Sequence, residues 1–533
     1  MSSPAPLTDR AGDRTLPEVH RRPVGRATIG DQLRRHARSR PDRVAIISYG
    51  PAGRRVCTYG ELDRLANAVA HFLLDAGVRR GDRVAVMARN SVEAVAAYYG
   101  ALKVGAAFTG VNVLHGSEEV AAQLAHAEPA AVLAGEEFTA LVDGLRARTP
   151  SVTAWITLAA SAPPGWTAFA DVLDGPSTEP EVDVDEHDLA MVVYTSGTEA
   201  APKGVMIPHR NYLISTAPAW SWGMRTGPDD TWLFVMPFFT IAGLGSMTTL
   251  TMMGATLVLP DTVDPGRALD IIDAERVTVV AQTPTFYLAL AQHPGFGPET
   301  VGTVRRAMTY GGQVSPTAVA AWAWAAQGVV WGTYWGQFEL SQLGSVGWFS
   351  CLDDIPDGDP SWIGTPVTHL EVRVVGPSGE DAEIGELWCR SPSLMLGYFK
   401  EPERTAEAFT GEWLRTGDIV RVDAAGNLFF ADRAKDMIKS GGYNVSSQEV
   451  ERVLHTHPAV LRAAVVGRPD EYWSEAVTAF VIPAGDVAPD ELVRFCRERL
   501  ASYKTPKAVH LVESFPIDAQ GKVLKRELRR IDV

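Results

Sequence analysis

Two windows of about thirty residues each, Thr231 to Pro260 and Ala307 to Phe338, contain no charged side chain. Segments of this kind sit either inside a membrane or deep inside a large folded body, because little in them favours water. Pro237, Gly243, Gly245 and Gly254 interrupt the first window, and Gly311, Gly312, Pro316 and Gly328 the second. Neither supplies the roughly 20 unbroken apolar residues of a spanning helix. Both are expected to be buried around a pocket, and no membrane span is expected.

Hiding two such windows takes a large body, and a chain of 533 residues suggests roughly two to four domains. From Ile29 onward, helical pieces ("GDQLRRHARSRPD", "YGELDRLANAVAHFLLDAGV") alternate with β-branched runs ("RVAIISY", "RVAVMA"). This is the pattern of βαβ units in a largely parallel sheet. After about Gly364 the texture turns to hairpins, as in "HLEVRVVGPSGEDAEIGELWCRS" with its "PSGED" turn. A boundary falls near Asp432–Asp436, and a small α+β domain follows, with a helix that Ser446 or Ser447 caps. Residues 1–25 are polar and rich in Pro and Arg, and read as a floppy tail rather than a signal peptide.

Charge narrows the partners. A net charge of −15 argues against nucleic acid or an anionic membrane, both of which reward clustered Lys and Arg. Cys57, Cys351, Cys389 and Cys496 lie far apart with no CxxC, so neither a disulfide framework nor a zinc site is expected, and a cytoplasmic location fits. His455 and His457 read as a solvated helix end.

The stretch "YTSGTEAAPKGV", Tyr194 to Val205, packs small hydroxyls, two glycines and one lysine into twelve residues. Those are the groups a polyphosphate asks for. Glu199 complicates this, since a carboxylate about 4 Å from a phosphate oxygen costs on the order of 4 kcal/mol at an effective dielectric near 20. Either the loop does not bind phosphate or Glu199 points away from it. The familiar alternatives fail: Lys203 lies between Pro202 and Gly204 rather than in GKS or GKT, and GxGxxG, HExxH and GxSxG are all missing.

Eight blocks in order carry a resemblance: "YTSGTEAAPKGV", "MPFFTIAG", "MTYGGQVSP", "YWGQFE", "GELWCRSPSLMLGYF", "WLRTGDI", "DRAKDMIKSGGYNV" and "PIDAQGKVLKREL". From Ile29 to the C-terminus the chain resembles the adenylate-forming (AMP-binding) superfamily of acyl-CoA synthetases, aryl-CoA ligases, luciferases and peptide-synthetase adenylation domains. The resemblance implies an α/β fold. Residues 26–433 would form a large N-terminal adenylation domain of βαβ-type sheets with a β-rich subdomain at about 364–433, and 434–533 a small mobile α+β C-terminal domain. It also implies a reaction in which a carboxylic acid and MgATP give an acyl-adenylate and pyrophosphate, after which a thiol, often that of coenzyme A, displaces AMP.

By that resemblance Thr195, Ser196, Gly197, Thr198 and Lys203 surround the β- and γ-phosphates, and Glu199 faces solvent or helps hold magnesium. Gly311, Gly312 and Gln313 approach the adenine, and Trp335, next to Gly336, stands where the family has a stacking tyrosine. Glu339 matches the Mg²⁺ carboxylate, a hard oxygen donor suited to that ion. Phe338 replaces a threonine that would bond near the α-phosphate. Asp418 and Arg433 match the ribose contacts, Lys435 the hinge, and Lys522 the lysine that bridges carboxylate and α-phosphate. Gly441 and Gly442 leave room for a pantetheine arm, with Tyr443 beside them.

For the acid, Phe239, Thr240, Ile241 and Tyr310 are the expected pocket, with Trp220 and Trp222 as further wall. Thr240 stands in place of a histidine, and the aspartate that would hold an amino-acid ammonium is missing. An uncharged pocket suits a short-to-medium-chain or aromatic acid. Alternative acceptors are an acyl carrier protein's phosphopantetheine thiol and an amine. A different oxyanion substrate, or a protein that only binds nucleotide, is the reading from another class. Retention of Lys203, Glu339, Asp418, Arg433 and Lys522 argues against lost catalysis. Monomer and homodimer both stay open.

Overall fold

A computed structural model describes residues 27–50, 53–194, 203–218, 224–310, 315–434, 436–440, 443–470, 472–517 and 523–531. Among these, the strands form sheets of fourteen, eight and five. The largest has a parallel centre running Val330–Trp335, Arg306–Thr309, Val279–Gln282, Thr231–Leu233, Thr256–Leu259 and Val44–Gly50. The eight-stranded sheet is parallel from Thr167–Ala168 to Leu189–Tyr194, then adds Gly204–Pro208 and Gly397–Tyr398 antiparallel. The sheets are therefore mixed: the helix-linked strands are parallel, while hairpin partners and returning strands close the edges antiparallel.

Local signals place the helices. Thr58 caps Tyr59–Asp75, and the Glu61 side chain answers with a bond from the Thr58 amide, which satisfies two end groups together. Ser91 caps Val92–Lys103. These two helices touch closely because Gly100 has no Cβ; one there would lie 2.6 Å from Val69.

The first uncharged window becomes strand Thr231–Leu233, helix Ile241–Met253 and strand Thr256–Leu259, almost wholly buried. Helix Ile241–Met253 has no polar face because it is covered nearly all round. The described part of the second window supplies Arg306–Thr309, Pro316–Ala325 and Val330–Trp335. No helix among the described residues is long and apolar enough to cross a membrane.

The β-rich stretch after Gly364 does not form its own sheet. Strand Trp362–Pro366 bonds to Ser345–Phe349 on one side and to Leu428–Arg433 on the other, so the hairpins extend the large sheet. The five-stranded sheet begins at Ile438 and has its own core around Val450, Leu454, Val465, Phe480 and Leu492. His457 corrects the expectation of a solvated helix end, whereas His455 is exposed as expected. His455 Nε2 accepts from the Ala463 amide at 3.2 Å, and His457 is 8% exposed with its ring edge-on to Phe495. His457 is enclosed from the side of helix Pro489–Arg497, which carries Phe495, while His455 stays exposed.

Candidate functional site

Strand Val330–Trp335 ends in a short turn that carries several of the expected residues. At its first residue, Trp335 donates its indole N–H to Asp418 Oδ2 at 2.7 Å. Gln337 donates to the same oxygen at 2.8 Å, and to the Thr416 carbonyl at 2.9 Å. Asp418 has no exposed surface, and Arg433 Nε lies 2.7 Å from its other oxygen. Register explains the pairing, since Asp418 and Arg433 are directly opposed on strands Trp413–Val422 and Leu428–Arg433. A buried carboxylate that accepts two hydrogen bonds on one oxygen and meets a guanidinium at the other is fixed in place.

Two residues beyond Gln337, Glu339 sits on the single 3₁₀ turn Phe338–Leu340. Its Oε1 accepts from Tyr398 OH at 2.9 Å, and the Lys203 ammonium lies 5.2 Å from the Tyr398 ring centre. The local cause is strand pairing: Tyr398 opposes Val205, so Gly397–Tyr398 carries its hydroxyl to Glu339 and its ring beneath Lys203. One carboxylate, one ammonium and one phenol meet here from distant parts of the sequence. No group of three or more His, Cys, Asp or Glu that could hold a metal occurs among the described residues. A magnesium ion at Glu339 would thus take most of its oxygens from phosphates and water, which is that ion's usual habit beside nucleotides.

Gly336 has a structural reason. A Cβ there would lie 1.7 Å from the Gln342 carbonyl oxygen, so only glycine lets the turn close. Tyr310 donates to Gln282 at 3.0 Å and its ring lies 5.5 Å from that of Tyr334, both inside the parallel sheet's end. Burial pushes the Tyr310 phenol's pKa well above its ordinary value, so it serves as a neutral wall and donor.

The acid-pocket residues divide. Phe239 is 9% exposed, and with Phe238, Leu244, Met247, Tyr98 and Phe108 it lines a small apolar cavity of about 10 Å³. Thr240 caps helix Ile241–Met253: its hydroxyl accepts from the Gly243 amide at 3.0 Å and donates to the Pro237 carbonyl at 2.9 Å. Both hydroxyl functions are thereby used within the chain. Ile241 is core, and Phe338 packs partly buried against it. Thr195, Ser196, Gly197, Thr198, Glu199, Trp220, Trp222, Gly311, Gly312, Gln313, Lys435, Gly441, Gly442 and Lys522 lie outside the described residues, as does the Tyr443 side chain.

Gln337 and Tyr398 escaped the sequence reading. Each sits inside a block that was recognised, "YWGQFE" and "LMLGYF", but their partners are 81 and 59 residues away. No local signal announces such contacts.

Residues 33–399 match the AMP-binding enzyme family, and residues 449–522 match the AMP-binding enzyme C-terminal domain. A feruloyl-CoA synthase of an Amycolatopsis species is 33% identical over 521 residues, covering 94% of this chain and 98% of that protein. A long-chain-fatty-acid–CoA ligase of Mycobacterium tuberculosis is 32% identical over 507 residues, with 94% and 98% covered. Among solved structures, an anthranilate CoA ligase in complex with anthranoyl-AMP superposes with a TM-score of 0.84 at 28% identity, over 94% of this chain and 96% of its own. With both domains matched and the ordered motif series resting on one fold, the chain belongs to the AMP-binding enzyme family.

Proposed function

We infer that the protein is an ATP-dependent, AMP-forming ligase that joins a carboxylic acid to the thiol of coenzyme A. The observation that carries this is the turn from Trp335 to Glu339. Its first residues hold the buried Asp418, and its last accepts from Tyr398, whose ring lies beside Lys203. One short segment thus serves a hydroxyl-binding carboxylate and a phosphate-binding cluster, matching the ribose and the phosphates of a nucleotide.

Asp418 accepts from the ribose hydroxyls while Trp335, Gln337 and Arg433 keep it in place. Lys203 and residues 195–202 receive the β- and γ-phosphates, and Glu339 would hold a magnesium ion, which would supply charge neutralisation there. An acid carboxylate oxygen attacks the α-phosphorus, and the bond to pyrophosphate breaks. Lys522 neutralises the approach of the two anions. A thiolate sulfur then attacks the acyl carbon, and AMP leaves with the bonding electron pair. Lys435 is the hinge that lets residues 434–533 turn between the two steps: strand Leu428–Arg433 belongs to the large sheet and Ile438 opens the small one.

The acid carries an uncharged short-to-medium-chain or aromatic tail, a reading that rests on the apolar surroundings of Phe239 and the tyrosine wall. The aryl substrates named for two of the similar proteins lean the same way, whereas the fatty-acid relative marks the competing class. The four cysteines are free thiols, in keeping with action in the cytoplasm.

The test is pyrophosphate release from MgATP across fatty, aryl and amino acids, with and without coenzyme A. Release that depends on one acid class and rises with coenzyme A is expected, and Lys522→Ala should lower it about 10²–10³-fold. Release that coenzyme A leaves unchanged would move the acceptor to a carrier-protein thiol or an amine. ATP binding without release for any acid would overturn the ligase reading.

A further inference from the structure

The turn that bears Glu339 closes through an unusual backbone. Ser341 has φ 60° and Gln342 has φ 126°, a region that residues with a side chain seldom enter. Such a conformation persists only where its surroundings over-determine it. Here they do. The Gln342 side-chain amide lies 3.1 Å from the Tyr212 hydroxyl and 3.2 Å from the Ser246 hydroxyl, and Gln342 is 6% exposed. Its backbone amide donates to the Gln337 carbonyl at 3.2 Å. Two glycines make the space: a Cβ on Gly336 would meet the Gln342 carbonyl, and one on Gly245 would lie 2.7 Å from the Gln342 amide carbon.

Ser341 is fastened as well. It is fully buried, and its hydroxyl donates to the Ser393 carbonyl at 2.6 Å. Two residues after Ser393, the Met395 amide donates to the Glu339 carbonyl at 2.8 Å. Helix His209–Pro218, through Tyr212, and helix Ile241–Met253, through Gly245 and Ser246, therefore converge on the turn from behind Glu339.

We propose that Gln342, held by Tyr212 and Ser246, is the positioning residue that keeps the Glu339 carboxylate aimed at the magnesium–phosphate end of the nucleotide. The amide bonds hold a glutamine in a backbone conformation that glycine would adopt freely, and this conformation fixes where Glu339 points. The proposal rests on Glu339 as the magnesium carboxylate, and the experiment separates the two claims.

The experiment measures ATP binding to the full-length protein by calorimetry, without any acid, in excess magnesium and in chelator. Wild type is expected to bind more tightly with magnesium, and Glu339→Gln to lose that gain. Gln342→Ala should lose about tenfold of the gain, the size typical of a residue behind a metal ligand, while its affinity in chelator stays at the wild-type level. Gln342→Gly, which takes φ 126° without strain, should recover part of the gain even though it lacks the amide. A melting curve for each variant accompanies the titration.

If Glu339→Gln keeps the full magnesium gain, the assignment of Glu339 falls. If Glu339→Gln loses the gain but Gln342→Ala keeps it, the positioning role is wrong while Glu339 stands. If Gln342→Gly and Gln342→Ala lose affinity equally with and without magnesium and in step with their melting temperatures, Gln342 is only a packing residue and the proposal is overturned.

Discussion

Asp418 is a carboxyl group with no exposed surface, and its tolerance depends on the two hydrogen bonds and the Arg433 contact around it. Asp418→Ala would leave the Trp335 indole and the Gln337 amide without their acceptor, at a cost of about 1–3 kcal/mol for each buried group. Asp418→Asn keeps the shape and one acceptor oxygen, so it should melt closer to wild type. Both should weaken ATP binding by about tenfold or more, since a hydrogen bond to a charged group is lost. Thermal melting and nucleotide titration of the two variants check this. Unchanged ATP affinity in both would remove Asp418 from the nucleotide site. At this scale, Asp418 and Arg433 were legible from the "RTGD" and "DRAKD" blocks. Gln337 was not, because a glutamine two residues past a strand looks alike whether it meets solvent or a buried carboxylate.

Among the elements, helix Ile241–Met253 matters most, because it reaches both the cavity under Phe239 and the back of the Glu339 turn. Its start is set by Thr240, whose hydroxyl satisfies an end amide that nothing else there would satisfy. Thr240→Ala should cost about 1 kcal/mol of stability, the usual loss for a threonine cap, and Thr240→Ser should restore most of it. Denaturant unfolding of both variants measures this. A Thr240→Ala protein as stable as wild type would show that the cap is dispensable. Thr240 stands where related ligases carry a histidine beside the acid, and as a threonine three residues ahead of a helix-end amide it has both hydrogen bonds of its hydroxyl claimed locally.

For the molecule as a whole, desolvation disfavours the charged form of five histidines. His115, His126, His369, His455 and His510 all have pKa values lowered from the ordinary 6.5, with desolvation as the main cause in each. In the unfolded chain each takes up a proton near its ordinary value, while the folded chain resists until the pH is lower. Stability from these groups is therefore complete above about pH 6.5 and drains as pH falls through the lowered values. The melting temperature should drop between about pH 7 and pH 5, before the carboxylates with lowered pKa values begin to titrate. His455→Gln, which keeps a neutral acceptor for the Ala463 amide, should make the drop shallower. A flat melting temperature across that range would contradict the burial account.

The sequence by itself determined which segments had to be buried, where helices begin and which ordered blocks mark the chemistry. Those are local or one-dimensional properties: missing charge over a window, a capping threonine, a motif. It also determined that the last hundred or so residues stand apart, because their pattern closes on itself. Only the tertiary structure decided that the β-rich hairpins extend the large sheet, since every backbone amide offers the same bond and register alone selects its partner. The same holds for Tyr398 reaching Glu339, for Gln342 held at φ 126° and for His457 packed edge-on against Phe495. Each depends on two parts of the chain meeting across a packed core. Which pairs meet is set by the sum of all the packing at once, and no single stretch of residues records it.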